Sequence, residues 1–273
     1  MDIVLTGTGS PLPDVNRAGP STLIKTSDTH ILVDAGRGTV MRMAGAGSLP
    51  IFLGAVIVTH LHSDHVCALN DVITTHWVMT QGNATLKIFG PPGTAQFVER
   101  QLFALEPDIG YRIAHHEDLT DGPNVEVAEL DPGDSFRIND VAVTTAATMH
   151  APVHPTIGYR FEHEGSSAAL VGDTIPCDGV DQLAANADAY VQTVIRRDLV
   201  ELSPSAMMQD ILDYHSGVVD AAQTAARVGA KRLVMTHMVP APNPDQYPEW
   251  VALAAEHFNG EIILGDDLTT VSI

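Results

Sequence analysis

Between Thr59 and His65 the chain reads Thr-His-Leu-His-Ser-Asp-His, with three imidazoles and a carboxylate in the six residues from His60. Neutral imidazoles at alternate positions of a turn, His60 and His62, can converge on one cation. The adjoining Asp64-His65 pair offers donors for a second. Nitrogen and carboxylate ligands of this kind suit a borderline-soft divalent ion such as zinc. A solvated surface cluster is the bland alternative, but the run follows the apolar segment Ala55–Val58 directly, which places it at the end of a buried strand.

Two metals need more ligands, and the ends of other strands supply them. His150 closes the segment Val141–Thr148, Asp173 follows Ala168–Val171, and His237 follows Leu233–Met235. His154, four residues past His150, is the competing candidate. It lies beyond Pro152, where the chain has left the sheet, so His150 is preferred. Cys67 and Cys177 stand close to ligand positions and read as packing residues. His30, His76, His115, His116, His163 and His257 require no chemistry, and His115-His116-Glu117-Asp118 reads as a solvated loop.

Short apolar runs bounded by Gly, Pro and Asp must position these residues. Ile3–Leu5, Ile31–Val33, Ala55–Val58, Leu86–Phe89, Val141–Thr145, Ala168–Val171, Leu233–Met235 and Ile262–Leu264 read as strands. Lys87 turns one face of the fourth toward solvent. Helices are expected over Pro92–Leu105, over Gly217–Val228 with Ser216 as N-cap and Gly229 as stop, and over Trp250–Phe258. Strands alternating with helices imply an α/β layered fold. No repeat, low-complexity tract or linker divides the chain, so residues 1–273 are expected to form a single domain.

Composition narrows the partners. The 273 residues hold 14 Lys plus Arg against 34 Asp plus Glu, a net charge of −20. That balance argues against loose, sequence-independent binding of nucleic acid, which depends on cations neutralising phosphates. It leaves room for a nucleic-acid enzyme with a local basic track. Arg196-Arg197, the one paired arginine, reads as a salt-bridged surface or as a greeting point for an anionic substrate. Two cysteines suit a reducing compartment, and no apolar run reaches the ~18 residues of a membrane span, so a cytoplasmic protein without membrane contact is expected.

The motif His60-x-His62-x-Asp64-His65, taken with His150, Asp173 and His237, resembles the metallo-β-lactamase superfamily, specifically its ribonuclease Z and arylsulfatase-like branch. Matching stretches span nearly the whole chain: Thr6–Pro11, Val33–Gly38, Phe89–Thr94, Gly158–Phe161 and Tyr214–Ser216. The resemblance implies a four-layer αβ/βα sandwich of two mixed β-sheets with helices outside. It implies two Zn2+ per chain (Mn2+ being possible), one held by His60, His62 and His150, the other by Asp64, His65 and His237, with Asp173 bridging. Asp34 would stand behind the ligands or simply shape a tight turn. A homodimer is a family expectation.

The implied chemistry is hydrolysis by a hydroxide shared between the metals, with Asp64 handling its proton and His215 protonating the leaving oxygen. Two features depart from the family pattern. The stretch whose Glu orients the equivalent of His215 reads Val191-Gln192-Thr193-Val194 here, without a Glu. The long basic arm that grips tRNA is also missing, since Gly158 to Asp173 has room for only a strand, a turn and a strand. The expected activity is therefore a dinuclear zinc phosphodiesterase acting on a small anionic ester or short RNA. An arylsulfatase or lactonase on the same site, a tRNA 3′-processing endonuclease, or a metal-binding non-enzyme are the alternatives. A basic track to the metals would favour tRNA, and an apolar pocket a lactone.

Overall fold

The computed structural model describes residues 1–273. One seven-stranded sheet comprises β1 (Asp2–Gly7), β2 (Ser21–Lys25), β3 (His30–Val33), β4 (Leu53–Ile57), β5 (Leu86–Gly90), β6 (Val125–Glu129) and, beside β1, β14 (Thr270–Ser272). The other comprises β7 (Ser135–Ile138), β8 (Val141–Ala147), β9 (Ile157–His163), β10 (Ser166–Leu170), β11 (Ala189–Ile195), β12 (Arg232–Val239) and β13 (Glu261–Leu264), in that spatial order. Each sheet is antiparallel at one end and parallel at the other. The change falls at β3 in the first, which pairs antiparallel with β2 and parallel with β4, and at β10 in the second.

Strand alternation sends successive side chains to opposite faces and so builds a separate core on each. Ile3, Leu5, Ile31 and Ile57 meet Val143, Tyr159, Phe161 and Val191 between the sheets. The opposite face of the first sheet, with Val4, Leu32, Val56 and Ile88, packs on helices α1 (Thr39–Gly45), α2 (Ser63–Val66), α3 (Leu69–Thr80) and α4 (Thr94–Ala104). Helix α5 (Glu106–His115) follows and buries none of its residues. The outer face of the second sheet, with Ala169, Tyr190 and Leu233, is covered by α6 (Asp178–Ala184), α9 (Val218–Val228) and α10 (Tyr247–Ala255). The short α7 (Arg197–Glu201) and α8 (Ala206–Asp210) lie between β11 and α9. Helix, sheet, sheet, helix is the four-layer sandwich expected. No helix is long and apolar enough to cross a membrane.

All eight apolar runs become strands, and Lys87 is exposed as expected. β2, β6, β7, β9, β11 and β14 fall outside those runs because polar residues interrupt them: Ser21 and Thr22 in β2, Glu126 in β6, Arg160 and Glu162 in β9, Gln192 and Thr193 in β11. The helix expected over Trp250–Phe258 runs instead from Tyr247 to Ala255, with Pro248 inside its first turn. Gly217 rather than Ser216 caps α9. The Ser216 hydroxyl donates to the Thr174 carbonyl, while Gly217 N donates to Asp220 Oδ2 at 2.8 Å. Strand β8 stops at Ala147, and His150 makes a separate bridge with Val153. Between β9 and β10 the chain turns through Glu164 and Gly165, both at positive φ as a tight hairpin requires, so no arm is inserted there.

Gly36 is needed where backbone approaches backbone. A Cβ there would lie 2.4 Å from the Gly19 carbonyl carbon and 2.5 Å from the Asp64 carbonyl oxygen. None of these atoms can swing aside. Gly36→Ala is expected to destabilise the protein by about 1–3 kcal/mol, as overpacking does. Urea unfolding checks this, and an unchanged midpoint would show that the crossing tolerates a methyl group.

Candidate metal centre

The cluster sits where loops leave strands of both sheets. After β4 the chain runs through Thr59 to His60 and His62, and α2 then presents Asp64 and His65. This turn is pinned from β3: Ala35 N donates to the His65 carbonyl at 2.7 Å and Ala68 N to the Ala35 carbonyl at 2.9 Å. Asp34, at φ +60°, accepts from Thr59 N and Thr59 Oγ1, both at 2.8 Å, and from His65 Nδ1 at 2.7 Å. Gly172, at φ +65°, lets the Asp173 turn pass close to Thr59, where a Cβ would meet the Thr59 Cβ at 2.9 Å. His237 does not follow a finished strand, because β12 continues to Val239. It lies in a bulge at φ +50°, where the pairing with β11 slips, and the bulge turns its ring toward the site.

Ligand-type atoms gather in two groups, His60, His62, His150 and Asp173 in one and Asp64, His65 and His237 in the other. In the first, His62 Nδ1 lies 3.1 Å from His60 Nε2 and 3.2 Å from His150 Nε2. Asp173 Oδ2 reaches both groups, at 3.9 Å from His60 and His150, 3.3 Å from His65 and 3.6 Å from His237. Asp64 Oδ2 lies 3.2 Å from His237 Nε2 and 3.7 Å from His65 Nε2. His65 Nε2 and Asp173 Oδ1 are buried with no hydrogen-bond partner. Unpaired buried polar atoms are costly, and a cation placed among these ring nitrogens and carboxylates would satisfy them. The donor set therefore fits a divalent metal.

The outer nitrogens of the rings are held as ligand geometry demands. The Tyr214 carbonyl accepts from His150 Nδ1 at 2.9 Å, which leaves Nε2 for the cluster. Asp34 does the same for His65, and Thr59 Oγ1 lies 3.0 Å from His60 Nδ1. His215 is buried, with Nδ1 donating to the Ile211 carbonyl at 3.1 Å and Nε2 lying 3.3 Å from Asp173 Oδ2. The backbone thus orients His215. Gln192 bonds instead to Tyr190 and Thr193, and Thr193 Oγ1 to the Gly172 carbonyl. Asp34 takes the supporting position that the family resemblance implied for it, rather than only shaping a turn. The carbonyls of Tyr214 and Ile211 leave no trace in residue type.

Other candidates lie elsewhere. His154 is exposed and outside both groups, as are His115 through Asp118. Cys67, read as a packing residue, is exposed because it sits on the outward side of the turn after α2, while Cys177 is half-buried. Arg196 forks onto Asp198 at 2.8 and 2.7 Å and lies over the Trp250 ring. Arg197 donates to the Leu212 carbonyl. Neither lines the metal cleft; the salt-bridged reading fits Arg196, while Arg197 makes no ion pair. That cleft, ≈ 260 Å³, is bounded by His62, Asp64, Asp173, His215 and His237. Ser10, Pro11 and Leu12 form one wall, with Met207, Met208 and Ile211 also lining it. No Lys or Arg lines it.

Two seven-stranded sheets with this cluster at their strand ends define a metal-dependent hydrolase, and residues 29–238 match the model of the β-lactamase superfamily domain. Within that superfamily the chain belongs to the ribonuclease Z family: the ribonuclease Z of Mycobacterium bovis (strain BCG / Pasteur 1173P2) is 52% identical over 275 residues, covering 100% of this chain and 98% of the relative. The fold is shared with the metallo-β-lactamase fold protein YhfI from Bacillus subtilis, at TM-score 0.75, 19% identity and coverage of 99% and 98% of the two chains. Human tRNase Z, short form, matches at TM-score 0.73 and 23% identity, covering 100% of this chain and 99% of that one.

Burial lowers the pKa of His60, His62 and His150, the last to about 4, so these rings are neutral at pH 7 and offer lone pairs. Burial opposes charge on His65 and His237 too, but Asp173 outweighs it and raises both. Burial alone would raise Asp173, yet His237 and His65 hold it well below the ordinary carboxylate range. Below pH 6.5 the raised rings are protonated folded or unfolded and contribute no slope. The lowered rings take up protons on unfolding there, so stability falls with pH. The chelated protein is expected to lose melting temperature from about pH 6.5 down to about 4. A flat profile over that window, by scanning calorimetry, would contradict the neutral-ring assignment.

Proposed function

We propose that the protein is a dinuclear zinc RNA endonuclease, cleaving a phosphodiester bond in a precursor RNA such as the 3′ end of tRNA. The observation that carries this reading is the pair of ligand groups sharing Asp173, with His215 beside them. His60, His62 and His150 would hold one ion, Asp64, His65 and His237 the other, with Asp173 between. Zinc suits imidazole and carboxylate donors, and manganese is the alternative. Divalent ions held there supply Lewis acidity, lowering the pKa of water toward ~7 and offsetting charge on the phosphoryl oxygens.

The chain's own groups do the rest. Asp64 is held below the ordinary carboxylate range, because the hydrogen bond from His237 and the neighbouring His65 overcome its burial. It is ionised at neutral pH and takes the proton of the attacking water or fixes that water's orientation. The Ile211 carbonyl keeps Nδ1 protonated, so when His215 acts as the acid it does so as an imidazolium, giving its Nε2 proton to the leaving oxygen and returning to the neutral Nδ1–H ring. Leu12, Met207 and Met208 exclude water beside the bond and give flat nucleobases an apolar surface. The same surface would meet a lactone, so a lactone belongs in the assay as a second substrate.

Support for RNA comes from the relatives named ribonuclease Z, at about half identity over the full chain. We further propose that residues 1–273 work as one domain, since both sheets contribute to one core. The reducing cytoplasm fits the two free cysteines. A homodimer is what the family resemblance implies.

With zinc-loaded protein on a precursor-tRNA transcript and on bis(p-nitrophenyl) phosphate, Asp64→Ala should lose activity by about 100-fold or more. Near wild-type rates would refute the role of Asp64. His215→Ala should lower kcat by about 100-fold with its metal content intact, and metal analysis of the purified variant checks the second half. Turnover of the lactone alone would overturn the RNA reading.

A further inference from the structure

The wall of the cleft formed by Ser10, Pro11 and Leu12 belongs to the loop that leaves β1, and one remote carboxylate holds both ends of that loop. Asp267 Oδ1 accepts from Thr8 N at 2.9 Å and Thr8 Oγ1 at 2.8 Å. Its Oδ2 accepts from Ala18 N at 2.7 Å and Arg42 Nε at 2.8 Å. The Asp267 side chain is 5% exposed. All four donors come from 225 to 259 residues away in sequence. Gly9 N also donates to the Ala18 carbonyl at 2.8 Å, closing the neck of the loop. Arg17, with a side chain 4% exposed, reinforces it by donating to Thr8 Oγ1 at 2.7 Å and pairing with Asp266 at 2.7 Å.

Beyond this neck the loop has little to hold it. Leu12 is 57% exposed and Val15 95% exposed, so the apolar contacts that normally anchor a loop are missing. The position of the wall over the metal ligands is set by a charged hydrogen-bond node at its base, and hydrogen bonds to a buried carboxylate are among the strong ones. Asp267 touches no metal-ligand candidate. We propose that Asp267 is the positioning residue of the substrate-binding wall: it holds Pro11 and Leu12 against the part of the substrate beside the scissile bond and so governs substrate binding, not bond cleavage. This rests on the phosphodiester reading above.

Asp267→Asn keeps the shape but sets an amide N–H among four donors. On the precursor-tRNA transcript it should raise KM about tenfold, with kcat within about threefold and bound metal per chain unchanged. Trypsin supplies a readout independent of substrate. The buried Arg17 should be protected in the wild type and cut at the Arg17–Ala18 bond in the variant, releasing residues 1–17 for mass spectrometry. Should Asp267→Asn not fold, Thr8→Val removes one donor and should show the same shift in part, while Thr8→Ser restores wild-type values. Unchanged KM with unchanged proteolysis would overturn the proposal. So would a fall in kcat together with lost metal, which would mean that Asp267 acts on the metal centre. A wild-type protein that leaves the transcript intact refutes the RNA reading instead, and the proteolysis result then decides the clamp alone.

Discussion

Lone pairs pointing at one another are the constraint on which this structure depends. Three imidazole nitrogens lie within 3.2 Å of a neighbour, and a buried carboxylate with one unpartnered oxygen stands between them and a second group. Such an arrangement is unfavourable unless positive charge is placed inside it, so the fold must supply the rigidity that keeps the ligands from relaxing apart. It does so with backbone. Asp34 ties Thr59 to His65, the Tyr214 carbonyl fixes His150, Gly36 lets main chains cross, and Gly172 lets the Asp173 turn pass against the Thr59 side chain. The Gly172–Thr59 approach joins a loop of the second sheet to one of the first, so the sandwich and the cluster stabilise each other.

Much of this was legible in residue types. Imidazole spacing after an apolar run marks both the strand and the turn, and a ligand-type residue at a strand end marks where the next contribution comes from. The residues that sequence singles out, His60, His62, Asp64, His65, His150, Asp173, His215 and His237, all stand together in the structure. What stayed hidden has physical reasons. Backbone carbonyls such as those of Ile211 and Tyr214 carry no residue signature. Strands that bury Ser, Thr and Gln, such as β2 and β11, hide their period because hydroxyls such as those of Ser21 and Thr193 are satisfied by tertiary partners that only the fold supplies. His237 was legible as a ligand candidate but its setting was not, since a bulge depends on the register of the neighbouring strand.

The charge of −20 and the cation-free lining of the cleft place electrostatic attraction for an anionic substrate at the metals themselves. With no cationic side chain lining the cleft and no arm inserted between β9 and β10, little on the cleft's own walls draws an anion in. Recognition then depends on the metal charge at close range and on apolar walls, both of which tolerate salt better than a field of lysines does.

Strand β1 is paired on one side with β14, and the amide of Thr8 finds its acceptor 259 residues downstream. During synthesis the first sheet therefore emerges with a bare edge, and that edge stays open until the whole second sheet has left the ribosome. A nascent chain in this condition offers unpaired backbone to any neighbouring strand. Vectorial folding cannot finish the first sheet before the second exists. The last edge of the first sheet is then completed late, and that open edge is where a holding chaperone would have most to cover.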